Sequence, residues 1–190
     1  MSKRKTSKSP GKTANARKAI PGHKKLERIL RVDHAGEFGA QRIYAGQLSI
    51  LGKSAIGDEL RHMAAQEDEH LRAFSALLNE RKIRPTALHP LWHVAGFALG
   101  AGTALLGEKA AMGCTVAVEE VIDEHYRQQL AALGPGEAKL KALIEKFRRE
   151  ENEHKDAAAA HGAETLPYYP VLRAFIRAGS KAAIWLSERL

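Results

Sequence analysis

From about residue 23 to the C-terminus, apolar positions recur three and four residues apart, and no stretch alternates with the period of two that a strand requires. Cut where Gly and Pro gather, this pattern predicts six helices. The first runs from about His23 to Leu51 and the second from about Ser54 to Lys82, with Gly52-Lys53-Ser54 at the turn between them. The chain turns again between Pro85 and Pro90, and a third helix covers about Leu91 to Leu106. A fourth spans about Glu108 to Leu133, a fifth about Gly136 to Gly162, and a last one follows Leu166-Pro167 from about Pro170 to Leu190. The architecture predicted is all-α: a four-helix bundle with an extra apolar crossover helix and a C-terminal amphipathic helix.

Two of these helices are unusual. In the third, only His93 and Thr103 are polar, yet Leu91 to Leu106 is shorter than the roughly 20 residues that span a bilayer. In the last, Arg173, Arg177 and Lys181 recur on one face, Leu172, Phe175, Ile176, Ala183 and Leu186 gather elsewhere, and Tyr168, Tyr169 and Trp185 sit near the ends. A basic amphipathic helix with aromatic flanks suits a membrane surface, the alternative being a helix docked on the bundle with its basic face in water. Together the two helices suggest a protein that lies on a membrane without crossing it.

Chemistry enters with a pattern that occurs twice. Glu67-Asp68-Glu69-His70 and Glu151-Asn152-Glu153-His154 are both Glu-x-x-His, and on a helix such a pair can aim at one metal ion. Each copy has an acidic partner on the preceding bundle helix: Glu37 for the first, and either Glu119 or Glu120 for the second. The midpoint between partner and motif falls at Gly52-Lys53-Ser54 in one hairpin and within Gly134-Pro135-Gly136-Glu137 in the other. Acid and motif therefore stand level, about 15 residues or roughly 22 Å from each turn. Four carboxylates and two imidazoles then converge inside the bundle, where unpaired carboxylates could not remain ionised. Two divalent cations resolve this, and the arrangement matches the ferritin-like di-iron or di-manganese template. Gly36 and Gly39 flank Glu37, each costing roughly 1 kcal/mol relative to Ala inside a helix, which points to close approach of a ligand or another helix there.

Composition narrows the reading further. The net charge of +8 over 190 residues belongs to the first 25, which hold nine Lys or Arg and no acid, while the remainder balances to −1. We expect a disordered basic tail over residues 1–24, with no apolar h-region of a secretory signal, and one domain over residues 25–190. Nucleic acid is not an expected partner. Cys114 is alone, so no disulfide framework exists, and its neighbours place it as a small buried residue.

The segments Val32-Asp33-His34-Ala35-Gly36-Glu37, Gln66-Glu67-Asp68-Glu69-His70, Cys114-Thr115-Val116-Ala117-Val118-Glu119-Glu120, Glu150-Glu151-Asn152-Glu153-His154 and Leu186-Ser187-Glu188-Arg189-Leu190 resemble the demethoxyubiquinone hydroxylase family of ubiquinone biosynthesis. The resemblance covers about residue 25 to the end. It implies a ferritin-like di-iron monooxygenase that uses O2 to hydroxylate a 2-polyprenyl-3-methyl-6-methoxy-1,4-benzoquinol. It assigns Glu37, Glu67, His70, Glu119, Glu151 and His154 to two iron ions, choosing Glu119 over Glu120. It also places Tyr126 and His125 close to the iron, as candidate catalytic residues; Tyr126, seven residues after Glu119, shares its helix face. Electrons would have to be supplied from outside, from NADH or from the quinol itself, and the sequence shows no nucleotide-binding glycine loop. Expected partners are the membrane surface, other ubiquinone-biosynthesis proteins and a second copy of the chain. The expected location is the cytoplasmic face of a bacterial inner membrane, or else the matrix face of the mitochondrial inner membrane. The same ligands would also serve a ferritin-like protein that oxidises or stores iron or handles peroxide, and a non-catalytic quinone-binding scaffold is the remaining alternative.

Overall fold

The computed structural model describes residues 21–190, which form six α-helices and no strand. They are α1 (Pro21–Leu51), α2 (Gly57–Arg81), α3 (His89–Leu105), α4 (Glu108–Ala132), α5 (Ala138–Ala160) and α6 (Tyr169–Ser187), with short 3-10 turns at Pro135–Glu137 and Ala163–Thr165. The basic tail expected over residues 1–24 lies, through residue 20, outside the described residues. Helices α1 and α2 form one antiparallel hairpin and α4 and α5 the other, so the turns fall where the equal spacing of acid and motif required.

The interior is apolar at both ends and polar in the middle. One cluster gathers Leu30, Phe74, Leu78, Tyr126, Ile144 and Phe147. The other gathers Tyr44, Leu60, Met63, Met112, Val116 and Ala158. Between them lies a layer of buried carboxylates and imidazoles. Helix α4 is central, with every residue from Ala110 to Glu119 buried; their small side chains let α1, α3, α5 and α6 pack around it. Cys114 is among them, and burial pushes its thiol up to about 12, which makes it inert.

Helix α3 does not enter the bundle. It lies along α1 at backbone contact: a Cβ on Gly100 would stand 1.9 Å from the Ile43 carbonyl oxygen, and one on Gly46 would stand 2.2 Å from that of Phe97. Its opposite face is bare, leaving Leu91, Val94, Phe97 and Leu105 exposed.

Helix α6 corrects part of the sequence reading. Its basic residues face α4 rather than a membrane: Arg173 makes a bidentate pair with Glu120, Arg177 Nη1 reaches Glu120 Oε2 at 2.6 Å, and Lys181 reaches Glu124 at 2.9 Å. Partial burial would raise the Glu120 carboxyl, but the two guanidiniums hold it below the usual carboxylate range. With its charges matched against the bundle, α6 turns outward an apolar stripe that includes Val171, Phe175 and Trp185. No helix among the described residues is long and apolar enough to cross a membrane.

Candidate metal centre

The six residues singled out as ligands meet in the polar layer, all of them buried. Their donor atoms form two groups, each within 4.8 Å: Glu37, Glu67, His70 and Glu151, and then Glu67, Glu119, Glu151 and His154. Glu67 and Glu151 belong to both. The two acids that helical periodicity left open are placed differently, with Glu119 in the layer and Glu120 outside it on the arginines of α6.

The layer is under electrostatic stress. Burial raises the Glu67 and Glu119 carboxyls well above their ordinary range, and the charge of Glu151 adds to the rise at both. At Glu151 burial acts in the same direction, but hydrogen bonds from His154 and His70 outweigh it and hold the carboxyl down to about 2. Burial alone would lower His70, whereas its hydrogen bond to Glu151 and the nearby Glu37 carboxylate, 3.5 Å away, lift it to about 10. Protons thus stand where cations would. One oxygen of Glu37, one of Glu119 and both of Glu67 are buried without a hydrogen-bond partner. Such orphaned acceptors, with mixed carboxylate and imidazole donors, fit a pair of divalent cations with redox chemistry.

Beyond the donors, the two hairpins repeat each other more deeply than the ligand motifs suggested. Tyr44 follows Glu37 by seven residues, as Tyr126 follows Glu119, and each phenol donates to the other hairpin's acid. Tyr126 donates to Glu37, and Tyr44 lies 3.5 Å from Glu119. Burial first, then the neighbouring carboxylates, raises both phenols well above their normal values, so they stay protonated donors. The imidazoles cross-pair similarly. His70 Nε2–H donates to Glu150 at 2.9 Å, and His154 Nε2–H donates to the carbonyl oxygen of Gln66 at 2.9 Å. In both rings Nδ1 is left facing the carboxylates. Tyr44, Gln66 and Glu150 were not singled out from sequence. The signal was there: a Tyr at the same seven-residue offset, and an acceptor immediately before each Glu-x-x-His.

His125 is placed differently from Tyr126. It lies outside the carboxylate layer, 3.9 Å from Asp33, and the Gln129 amide donates to both. Burial lowers His125 and raises Asp33 well above its usual value. His125 also borders a small surface pocket with Lys25, Arg28 and Glu188.

Adjoining that pocket at Val32 runs an apolar groove of about 590 Å³, lined by α1, α3, α4 and α6. Its lining includes Gly36 and Ala40 beside Glu37, and Val118 and Ile122 beside Glu119. A Cβ added at Gly36 or Gly39 would meet nothing within 4 Å, so both glycines border open space in the groove, although α3 passes close by, with a Cβ on Gly96 standing 2.9 Å from the Gly39 carbonyl oxygen. Trp92 donates to Ser187 at 3.1 Å, tying α3 to α6 across the groove, and the exposed apolar stripes of both helices flank it.

The family model described as ubiquinone biosynthesis protein COQ7 matches residues 24–187. The chain is 61% identical over 166 residues to a 3-demethoxyubiquinol 3-hydroxylase of Rhodospirillum rubrum, covering 87% of this chain and 78% of the relative. It is 53% identical over 169 residues to the human mitochondrial NADPH-dependent 3-demethoxyubiquinone 3-hydroxylase, with the same coverage. It is 41% identical over 182 residues to the mitochondrial 5-demethoxyubiquinone hydroxylase of Saccharomyces cerevisiae, covering 87% of this chain and 78% of the relative. A match that runs through all six helices and both hairpins takes in the whole ligand layer and the groove, and the chain belongs to the COQ7 family of ubiquinone biosynthesis proteins.

Proposed function

We propose that this chain is a di-iron monooxygenase that hydroxylates the ring of a polyprenyl methoxy-methyl-benzoquinol with O2 in ubiquinone biosynthesis. The observation that carries the reading is the junction of two features: a buried Glu/His layer with orphaned carboxylate oxygens, and an apolar groove whose walls include the neighbours of Glu37 and Glu119. The names of the relatives supply the substrate class.

Bound iron would supply reductive activation of O2. Glu37 and His70 would hold one ion, Glu119 and His154 the other, with Glu67 and Glu151 shared between them. Tyr126 and Tyr44 orient the two unshared carboxylates by hydrogen bonds. The groove takes the isoprenoid chain and excludes water from the ring, which comes to rest beside Gly36. His125 stands behind this arrangement as a positioning residue for Asp33 through Gln129. Electrons come from a nicotinamide nucleotide, as the human relative's name states for that protein. The exposed faces of α3 and α6 rest on a lipid surface, so that an apolar substrate enters without crossing water.

The test is turnover of protein loaded anaerobically with Fe(II), given a short-chain methoxy-methyl-benzoquinol, a reductant and isotopically labelled O2. Label in the ring of the product is expected. Oxygen uptake without ring label would replace this reading with iron handling, and no uptake would replace it with a quinone-binding scaffold.

A further inference from the structure

The two hairpins match closely around the ligands, which makes the places where they differ informative. Glu37 answers to Glu119, Tyr44 to Tyr126, Glu67 to Glu151 and His70 to His154. The outer partners of the imidazoles break the pattern. His70 gives its Nε2–H to a carboxylate, that of Glu150, whereas His154 gives its Nε2–H to a neutral amide, that of Gln66.

The difference is chemical as well as formal. A carboxylate acceptor draws the Nε2 proton harder than an amide oxygen does, and so makes the opposite ring nitrogen a better electron donor. Glu150 is well placed to do so, because its side chain is 21% exposed, Oε2 faces His70, and Oε1 lies 3.4 Å from Lys146 on the preceding turn. The His70 ring is fixed from its flank by Phe147, at 4.0 Å between centroids. The His154 ring meets the edge of the Tyr44 ring, at 6.3 Å between centroids.

Resting on the two-cation reading above, we propose that the two positions are built unequal, with Glu150 making the position at His70 the tighter one and Gln66 leaving that at His154 the weaker. The pair Glu150 and Gln66 acts through the imidazoles as positioning residues that set the order of filling. The first cation goes to Glu37, Glu67, His70 and Glu151, and the second completes the centre at Glu119 and His154.

The experiment is an anaerobic Co(II) titration of metal-free full-length protein, following the contact-shifted imidazole N–H resonances by proton NMR. Both rings keep Nε2–H, so each filled position gives one signal. In the native chain one signal should grow to completion with the first equivalent and the other with the second. Glu150→Gln gives two amide acceptors and Gln66→Glu gives two carboxylates. Both variants should therefore make the signals grow together, by a shift in relative affinity of ~10- to 100-fold, the usual cost of changing such a partner. The two approach symmetry from opposite directions, so the loss of one variant to misfolding leaves the other to decide. Signals that grow together in the native chain, or that stay ordered in a well-folded variant, would overturn the proposal. If no Co(II) signal appears at all, the two-cation reading itself fails, which is a separate outcome.

Discussion

The exposed apolar faces of α3 and α6, proposed above to rest on lipid, yield the most quantitative expectation. Val94 on α3 is 65% exposed and Val171 on α6 is 73% exposed, and neither lines the groove. Burying a whole Val side chain contributes ~1.5–2 kcal/mol, so returning these two from lipid to water should cost ~1–2 kcal/mol each. Replacing both with Ser should then weaken partition onto vesicles by ~2–4 kcal/mol, or between ~30-fold and several hundred-fold. Exposed positions of this kind change folding stability by no more than about 0.5 kcal/mol each, so the variant should remain fully helical by circular dichroism. The assay is co-sedimentation with neutral phosphatidylcholine vesicles, on which the nine basic residues of the first 25 find no anionic partner. Because Arg173, Arg177 and Lys181 are matched against Glu120 and Glu124, neutral lipid should suffice for binding. A folded Val94→Ser/Val171→Ser protein that sediments like the native chain, or a native chain that ignores neutral vesicles, would refute the reasoning.

Three further expectations follow from other parts of the molecule. Gly100→Val should force α3 away from α1, where a Cβ meets the Ile43 carbonyl at 1.9 Å, and lower stability by ~1–3 kcal/mol in urea unfolding, while Gly102→Ala, at an open helical position, serves as the control and should raise stability by up to ~1 kcal/mol. Tyr126→Phe removes the donor to Glu37 and should slow turnover ~10- to 100-fold with metal content retained by elemental analysis; an unchanged rate would reduce Tyr126 to packing. Partial burial would raise Asp123, but the hydrogen bond from Asn152 and the guanidinium of Arg148 hold it below its ordinary value. A depressed folded pKa means stability that is present above about pH 4, the unfolded value, and lost as pH falls further. Asp123→Asn should accordingly cost no more than ~1 kcal/mol at pH 7. Near pH 2–3 the variant should match the native chain in urea unfolding.

The helices and the ligand layer were legible because each is written in a short period that local geometry enforces. Apolar spacing gave all six helices to within about three residues of their ends, and the equidistance of Glu37 and Glu67/His70 from one turn gave the level of the site. The orientation of α6 was not legible in that way. Arg173, Arg177 and Lys181 make the same stripe whether they face phosphates or carboxylates, and only the tertiary placement of Glu120 and Glu124 decides between them. The pull of Glu120 was visible as an unassigned acid beside Glu119, but its partners lie more than fifty residues away. Gln66 and Glu150 escaped for a related reason: each sits beside a ligand in sequence, yet serves the imidazole of the opposite helix.

That crossing also divides the surroundings of the site between two sets of helices. Every residue lining the groove comes from α1, α3, α4 or α6, and none from α2 or α5. The imidazoles come from α2 and α5, and their outer nitrogens end on Gln66 and Glu150, both partly exposed. The apolar groove and the polar acceptors of the imidazoles therefore belong to different sets of helices. On the function proposed above, an isoprenoid quinol in the groove would lie against α1, α3, α4 and α6, away from the helices that carry Gln66 and Glu150. Helix α3, laid on α1 through Gly96 and Gly100, and α6, held to α4 by its arginines, are what convert two repeated hairpins into a centre with two different faces.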